Sequence, residues 1–172
     1  MVPRADRRTV DGGPNALAAK TGEGQLYEID MRLRPSGNVG PVATTLDNFA
    51  QYHAEAAQTW EQQALCRARV VAGDAGLAHR VEDAIWSNIA RSRRTEPLGG
   101  AVRAMRERIF KEHGSPDPWQ LKHARGAMVE IEFTVQYIKL LHAHRHPRLC
   151  TTVMRDLFDV MRDDVLLPVD HV

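Results

Sequence analysis

The residues most able to do chemistry lie in the segment YEIDMRLRPSGNVG, residues 27–40. Apolar side chains occupy alternate positions there, and the positions between them carry Glu28, Asp30, Arg32 and Arg34. A carboxylate can hold a divalent metal ion, and arginines can hold phosphate oxygens, so this set suits nucleotide chemistry. The alternative is a solvated strand face with ion pairs.

Alternation of apolar and polar residues is the pattern of a half-buried strand, which we predict over residues 25–34. Pro35 ends this strand, and Gly37 and Gly40 give the following loop its backbone freedom. A lone strand is unstable, because a sheet needs several strands with a shared apolar face. We therefore expect the chain to hold the back half of a catalytic domain joined to a helical domain, as a truncated product or fragment.

Bulk properties exclude several classes of protein. The chain has 172 residues, the size of one domain, and a formal charge of +1, which argues against a dedicated nucleic-acid-binding protein. Its two cysteines, Cys66 and Cys150, have no metal-ligand spacing and indicate a reduced, cytoplasmic setting. No apolar run is long enough to span a bilayer, so we expect no membrane partner.

Beyond residue 45 the pattern is helical. Residues 1–24 are polar and unpatterned, and we expect a poorly ordered lead-in. Thr45 and Asp74 are predicted N-caps. Helices are predicted over residues 46–58, 59–71, 75–91, 102–110, 128–144 and 151–162. The fifth of these has a predicted core face of Met128, Ile131, Val135 and Ile138. Residues 91–100 contain Pro97 and a glycine pair, and we interpret them as a linker.

A second candidate site precedes the fifth predicted helix. Lys122, Arg125 and Gly126 form a basic loop that opens this helix, and a helix N-terminus beside cations receives anions well. The alternative is a solvated basic loop. Glu130 and Glu132 lie two apart on the helix and point to different sides, so Glu130 is expected to pair with Lys122 or Arg125.

Four strings then resemble a known family. LYEIDMRLRPSGNVGP, TWEQQALCRARVVAGD, VRAMRERI and LK…RGAMVEIEFTVQY occur in this order. They resemble the C-terminal, adenylylating half of the bifunctional glutamine synthetase adenylyltransferase/adenylyl-removing enzymes. Related strings occur in the PII uridylyltransferases.

The resemblance implies an α+β, mostly helical fold. It implies the C-terminal remnant of a polymerase-β-like nucleotidyltransferase domain over residues 25–72. An all-α helical bundle domain of the PII-uridylyltransferase/glutamine synthetase adenylyltransferase type follows over residues 73–172.

The activity implied by the resemblance is transfer of AMP from ATP to a tyrosine of glutamine synthetase, with Mg²⁺, under control of the PII signalling protein. Asp30 falls on the third catalytic carboxylate of the family, a metal ligand that can also accept the proton of the hydroxyl. Arg32, Arg34, Lys122, Arg125 and Gly126 are then candidate nucleotide-binding residues. For Arg34 a structural role is the slightly favoured alternative.

Three departures from the family pattern matter. Upstream of Asp30 we find neither an Asp-x-Asp strand nor a Gly-Ser turn, Ala127 follows Gly126 where the family has a glycine pair, and Glu130 replaces an aspartate. We therefore expect the chain alone to be inactive. The alternatives are a non-catalytic helical binding module that docks glutamine synthetase or PII, and a nucleotidyltransferase with another protein target.

Overall fold

The computed structural model describes residues 20–22, 24–25, 30, 32–41, 43–117 and 119–164. The chain divides into two compact units, residues 1–55 and 56–172, and each is described by itself. The described part is mostly helical, as predicted. The polymerase-β-like remnant and the domain limits at residues 24 and 72 stay predictions. None of the helices in the described ranges is long and apolar enough to cross a membrane.

The described residues of the first unit form a two-stranded ribbon, a short 3₁₀-helix (Gly37–Val39) and one α-helix. Strands β1 (Lys20–Thr21) and β2 (Gly24–Gln25) pair antiparallel. Helix α1 spans Leu46–Glu55, and the hydroxyl of Thr45 accepts a hydrogen bond from the Asn48 N–H at 3.2 Å. The predicted N-cap is confirmed, because it satisfies one N–H that the first turn leaves open.

The prediction of a strand over residues 25–34 is wrong for its C-terminal part. Arg32 and Leu33 form a turn, and Asp30 lies outside any strand. The Asp30 carboxylate accepts a hydrogen bond from the Arg32 N–H at 2.9 Å. Such a side-chain bond to the backbone two residues on favours a turn over an extended strand. Residues 26–29 and 31 lie outside the described residues.

The second unit contains five helices in the described ranges: α2 (Thr59–Leu65), α3 (Ala75–Ile89), α4 (Thr95–His113), α5 (Met128–His142) and α6 (Met154–Asp163). Helix α2 lies against α3, α4 and α5, and α4 packs on α5. The buried apolar residues are Leu65, Cys66, Ile85, Ile89, Leu98, Val102, Ala124, Val135, Ile138, Leu140, Ala143, Leu149, Leu157, Val160 and Met161. The Asp74 side chain accepts from the Leu77 N–H at 2.9 Å, which confirms the second predicted cap.

Helix α2 ends at Leu65, six residues before its predicted end. The carbonyl oxygen of Cys66, which a longer helix would use internally, instead accepts a hydrogen bond from Lys139 Nζ at 2.8 Å. A contact between residues far apart in sequence thus ends the helix. No local sequence pattern predicts that α2 ends at Leu65.

The predicted linker over residues 91–100 is wrong in its second half, because α4 begins at Thr95. Pro97 lies in the first turn of the helix, where an N–H has no helical partner and its loss costs little. The two glycines are accommodated within the helix. Pro97 and the two glycines are often helix breakers, but here the proline lies in the first turn of α4 and the glycines lie inside the helix.

Candidate functional site

Asp30 and Arg32 form a fork-like ion pair in the first unit. Arg32 Nε lies 2.9 and 3.0 Å from the two carboxylate oxygens, and Nη2 lies 2.7 Å from Oδ2. Both side chains are exposed. The hydrogen bonds from the Arg32 side chain and backbone N–H lower the pKa of Asp30 to about 2. The carboxylate is therefore charged throughout the neutral range and is a poor proton acceptor there.

The described residues do not by themselves form a magnesium site. They contain no group of three or more His, Cys, Asp or Glu side chains that could hold a metal. Arg32 occupies both oxygens of Asp30, and Mg²⁺ takes an octahedral set of oxygen ligands. Asp30 as a metal ligand stays a prediction that requires carboxylates from outside the described ranges.

Arg34 holds the loop that follows. Its guanidinium donates to the backbone carbonyls of Gly40, at 3.3 Å from Nε, and Asn38, at 3.4 Å from Nη2. Gly37 has a φ of +53°, and a Cβ on Gly40 would collide with the carbonyl of Pro35. The glycines are thus required for this tight turn, as the sequence indicated. These contacts support the structural alternative for Arg34, and its nucleotide-binding role stays a prediction.

We expect Arg32→Gln to raise the pKa of Asp30 from about 2 toward its ordinary value of 3.8. A depressed pKa adds stability that is present above pH 3.8 and is lost as the pH falls toward 2. The Asp30 carboxyl ¹³C resonance followed during an acid titration measures the midpoint. Arg34→Gln is the matched control, because Arg34 bonds Gly40 and Asn38 instead. An unchanged midpoint in Arg32→Gln would refute the ion pair.

In the basic loop of the second unit, Arg125 is paired with carboxylates of two helices of the same unit. Arg125 donates to both carboxylate oxygens of Glu107, at 3.0 and 3.3 Å, and its guanidinium lies 3.9 Å from the Phe110 ring centroid. Hydrogen bonding lowers the pKa of Glu107 and raises that of Arg125. Glu130 lies 3.5 Å from Arg106 and 3.8 Å from Arg125. The predicted pairing of Glu130 with Arg125 is confirmed.

The N-terminus of α5 already holds a carboxylate. The Gly126 N–H donates to Glu130 Oε2 at 2.9 Å, and Gly126 has a φ of +75°. Lys122 is exposed and forms no ion pair with the described residues. A phosphate at this loop would have to displace Glu130. The nucleotide-binding roles of Lys122, Arg125 and Gly126 stay predictions.

One buried cation, Lys139, and one half-buried cation, Arg93, were not predicted from the sequence. Lys139 donates to the carbonyls of Cys66 and Thr151, at 2.8 and 2.6 Å, and burial lowers its pKa. Arg93 donates to the carbonyls of Asn88 and Ile89, both at 2.7 Å, and burial lowers its pKa as well. The burial of Lys139 could have been predicted from its position. It lies four residues after Val135, a predicted core position of α5, and therefore on the same helix face.

Comparison with known proteins identifies the same family that the sequence strings resemble. The family model described as glutamate-ammonia ligase adenylyltransferase matches residues 14–84. A bifunctional glutamine synthetase adenylyltransferase/adenylyl-removing enzyme of Xanthobacter autotrophicus is 45% identical over 159 residues, 91% of this chain. Proteins of the same name are 44% identical in Bradyrhizobium diazoefficiens, over 88% of the chain, and 45% identical in Rhodopseudomonas palustris, over 77%.

The chain is short beside these relatives. The matched parts make up 16% of the Xanthobacter protein, 14% of the Bradyrhizobium protein and 13% of the Rhodopseudomonas protein. The similarity therefore concerns one segment of a much longer polypeptide. The activity, substrates and partners of the whole protein are consequently a matter for proposal.

Proposed function

We propose, from the membership of this chain in the glutamate-ammonia ligase adenylyltransferase family, that it is part of an enzyme that transfers AMP from ATP to a tyrosine of glutamine synthetase. The observation that carries the proposal is the 45% identity over 91% of the chain to a relative of that name. Control by PII belongs to the proposal as well, on the strength of the resemblance in sequence.

The proposed reaction is a phosphoryl displacement. The tyrosine hydroxyl oxygen attacks the α-phosphorus of ATP and a new P–O bond forms. The bond from the α-phosphorus to the oxygen bridging to the β-phosphate breaks with release of pyrophosphate, and the hydroxyl proton passes to water. Mg²⁺, when bound, would stabilise negative charge on the phosphates. Asp30 would contribute a carboxylate that is charged at neutral pH. Because its pKa is low, this carboxylate is better suited to bind a cation than to accept the hydroxyl proton.

We propose further that the chain alone is inactive. The described residues offer one exposed carboxylate held by Arg32 and no cluster of three metal-ligating side chains. A single carboxylate does not position a metal ion for in-line displacement. With purified chain, glutamine synthetase, ATP labelled in its AMP part and Mg²⁺, we expect no labelled AMP on glutamine synthetase above background.

A full-length relative from Xanthobacter autotrophicus is the positive control in this assay. Its modification of glutamine synthetase verifies that substrate and conditions are competent. Transfer by the purified chain, at a rate that rises in proportion to its concentration, would overturn the proposed inactivity. Failure of the full-length relative to modify glutamine synthetase would count against the proposed reaction itself.

The second candidate function is a non-catalytic module that docks glutamine synthetase or PII. A group of large apolar side chains is exposed near the start of α5, namely Trp119, Leu121 and Met128, with Trp119 84% accessible. Exposed aromatic and aliphatic clusters are typical of protein contacts. A pull-down of purified glutamine synthetase and of PII by the chain tests it, and Trp119→Ser should reduce any capture. Capture without transfer favours this module.

A further inference from the structure

A cavity of about 350 Å³ lies where the end of α2 meets α5 and the start of α6. Its walls combine cationic and apolar side chains. The lining residues include the apolar Val135, Met154 and Leu157 and the basic Arg67 and Arg69. The volume falls at the lower end of the range for small-molecule clefts, roughly 300–1,000 Å³. The shape and composition suit a small molecule with one charged end and one apolar end.

The charges on the walls do not balance. Arg67, Arg69 and Lys139 face a single acidic residue, Glu132. Glu132 accepts a hydrogen bond from Arg67 Nη1 at 3.0 Å, which accounts for that pair. The ammonium of Lys139 donates to the carbonyls of Cys66 and Thr151. Lys139 and Arg69 therefore carry the excess positive charge, and of these two Lys139 is buried and bonded to carbonyls whereas Arg69 is exposed.

Arg69 is exposed and has neither an ion-pair nor a hydrogen-bond partner within the described part of the chain. A guanidinium at the edge of an apolar cavity can bind a carboxylate through two parallel N–H donors. A neighbouring cavity of about 320 Å³ has the apolar walls of Ile131 and Phe158 but carries Glu130 and no lysine or arginine. Of these two cavities, lined by described residues, the first combines apolar walls with an arginine that has no ion-pair partner among the described residues.

We propose that the cavity beside Arg69 binds a small amphipathic carboxylate, with the carboxylate on Arg69 and the apolar part against Val135, Met154 and Leu157. Such a ligand would link the end of α2 with α5 and α6. It would therefore stabilise the second unit in proportion to its occupancy, since it binds the folded form. All residues that line the cavity belong to the second unit, and the proposal does not depend on the proposed transfer reaction.

Hexanoate is a suitable probe, and hexanamide is its neutral counterpart of nearly the same shape. Calorimetric titration of the whole chain at low ionic strength should show saturable binding of hexanoate and at least about tenfold weaker binding of hexanamide. Arg69→Gln should weaken hexanoate binding about tenfold. Arg108→Gln, a charge removed from an exposed position on α4 away from the cavity, should leave it unchanged.

The apolar wall has its own test. Met154→Ser should weaken hexanoate binding about fourfold, because about one buried methylene is lost from the contact. Circular dichroism verifies that each variant folds. The proposal fails if hexanoate shows no saturable binding, if hexanamide binds equally well, or if Arg69→Gln binds hexanoate as the parent does.

Discussion

Replacing Asp30 with asparagine is expected to reduce AMP transfer about a hundredfold or more in a full-length adenylyltransferase that carries this chain in place of its matching segment. Asparagine keeps the size of the side chain and removes its charge, so a bound cation loses several kcal/mol of stabilisation. The measurement is the initial rate of labelled AMP incorporation into glutamine synthetase at saturating ATP. Circular dichroism of the variant verifies that folding is unaffected.

Asp47→Asn is the matched control for this experiment. Asp47 is an exposed aspartate in the first turn of α1, in the same unit as Asp30, so the substitution removes the same charge from the same part of the chain. Its rate should stay within about twofold of the parent, because a surface charge at a helix start contributes under about 1 kcal/mol. Full activity of Asp30→Asn would refute the role of Asp30 as a metal ligand.

Arg32→Gln separates two roles for the Asp30 carboxylate. If the carboxylate serves only the ion pair with Arg32, removal of either partner has the same small effect on transfer, since an ion pair between two exposed side chains contributes little. If it binds a cation, Asp30→Asn is far more damaging than Arg32→Gln. The low pKa of Asp30 favours cation binding over acceptance of the hydroxyl proton, which the resemblance also allowed.

Helices with local signals were predictable from sequence. Thr45 and Asp74 cap α1 and α3 as expected, because a cap depends on a side chain and an N–H only three residues apart. Helix periodicity also predicted that Glu130 and Glu132 point to different sides, and in the structure they pair with different arginines, Arg125 and Arg67. In each case the interaction that fixes the structure lies within one or two turns, or follows from the geometry of a single helix.

Predictions failed where a distant residue decides the local structure. Periodicity predicted a core face of α5 that includes Met128 and Ile131, yet these are 58% and 46% exposed, while Val135 and Ile138 are buried as predicted. Only the second part of the helix lies deep in the packed core. Periodicity identifies a stripe along a helix, but the neighbouring elements determine how much of that stripe is covered.

The candidate site was predictable in composition but not in geometry. The sequence correctly placed Asp30 near Arg32, because residues two apart share a strand face, but the contact forms through a turn. The sequence also placed Arg125 beside Glu130. It did not show that Arg125 would be held mainly by Glu107, since that contact joins the turn before α5 to α4, and no spacing rule specifies how these two parts pack.

Replacing Lys139 with methionine is expected to lower the free energy of unfolding by about 2–4 kcal/mol. Lys139 is 1% exposed, and its ammonium donates to the carbonyls of Cys66 and Thr151 and lies 5.0 Å from the Trp86 ring centroid. Methionine fills a similar volume but donates nothing, so two carbonyls lose their partner at about 1–3 kcal/mol each. Urea unfolding at pH 7 followed by circular dichroism measures the change.

One effect opposes this loss. Burial lowers the pKa of Lys139, so the charged form is disfavoured by desolvation, and methionine relieves that cost. Buried ion pairs replaced by apolar groups are in some proteins neutral or stabilising for this reason. Here the partners are backbone carbonyls that remain after the substitution. We therefore expect the cost of leaving them without a donor to exceed the gain from relieving the desolvation of Lys139.

Lys122→Met is the matched control, because Lys122 is exposed and should change the free energy of unfolding by less than about 0.5 kcal/mol. Amide hydrogen exchange gives a second, local measurement. Because the Cys66 carbonyl ends α2 by accepting from Lys139, loss of the ammonium should increase amide hydrogen exchange around Cys66 more than around α3. A Lys139→Met chain as stable as the parent would show that desolvation outweighs the two hydrogen bonds. In that case the buried ammonium would have to be explained by something other than stability.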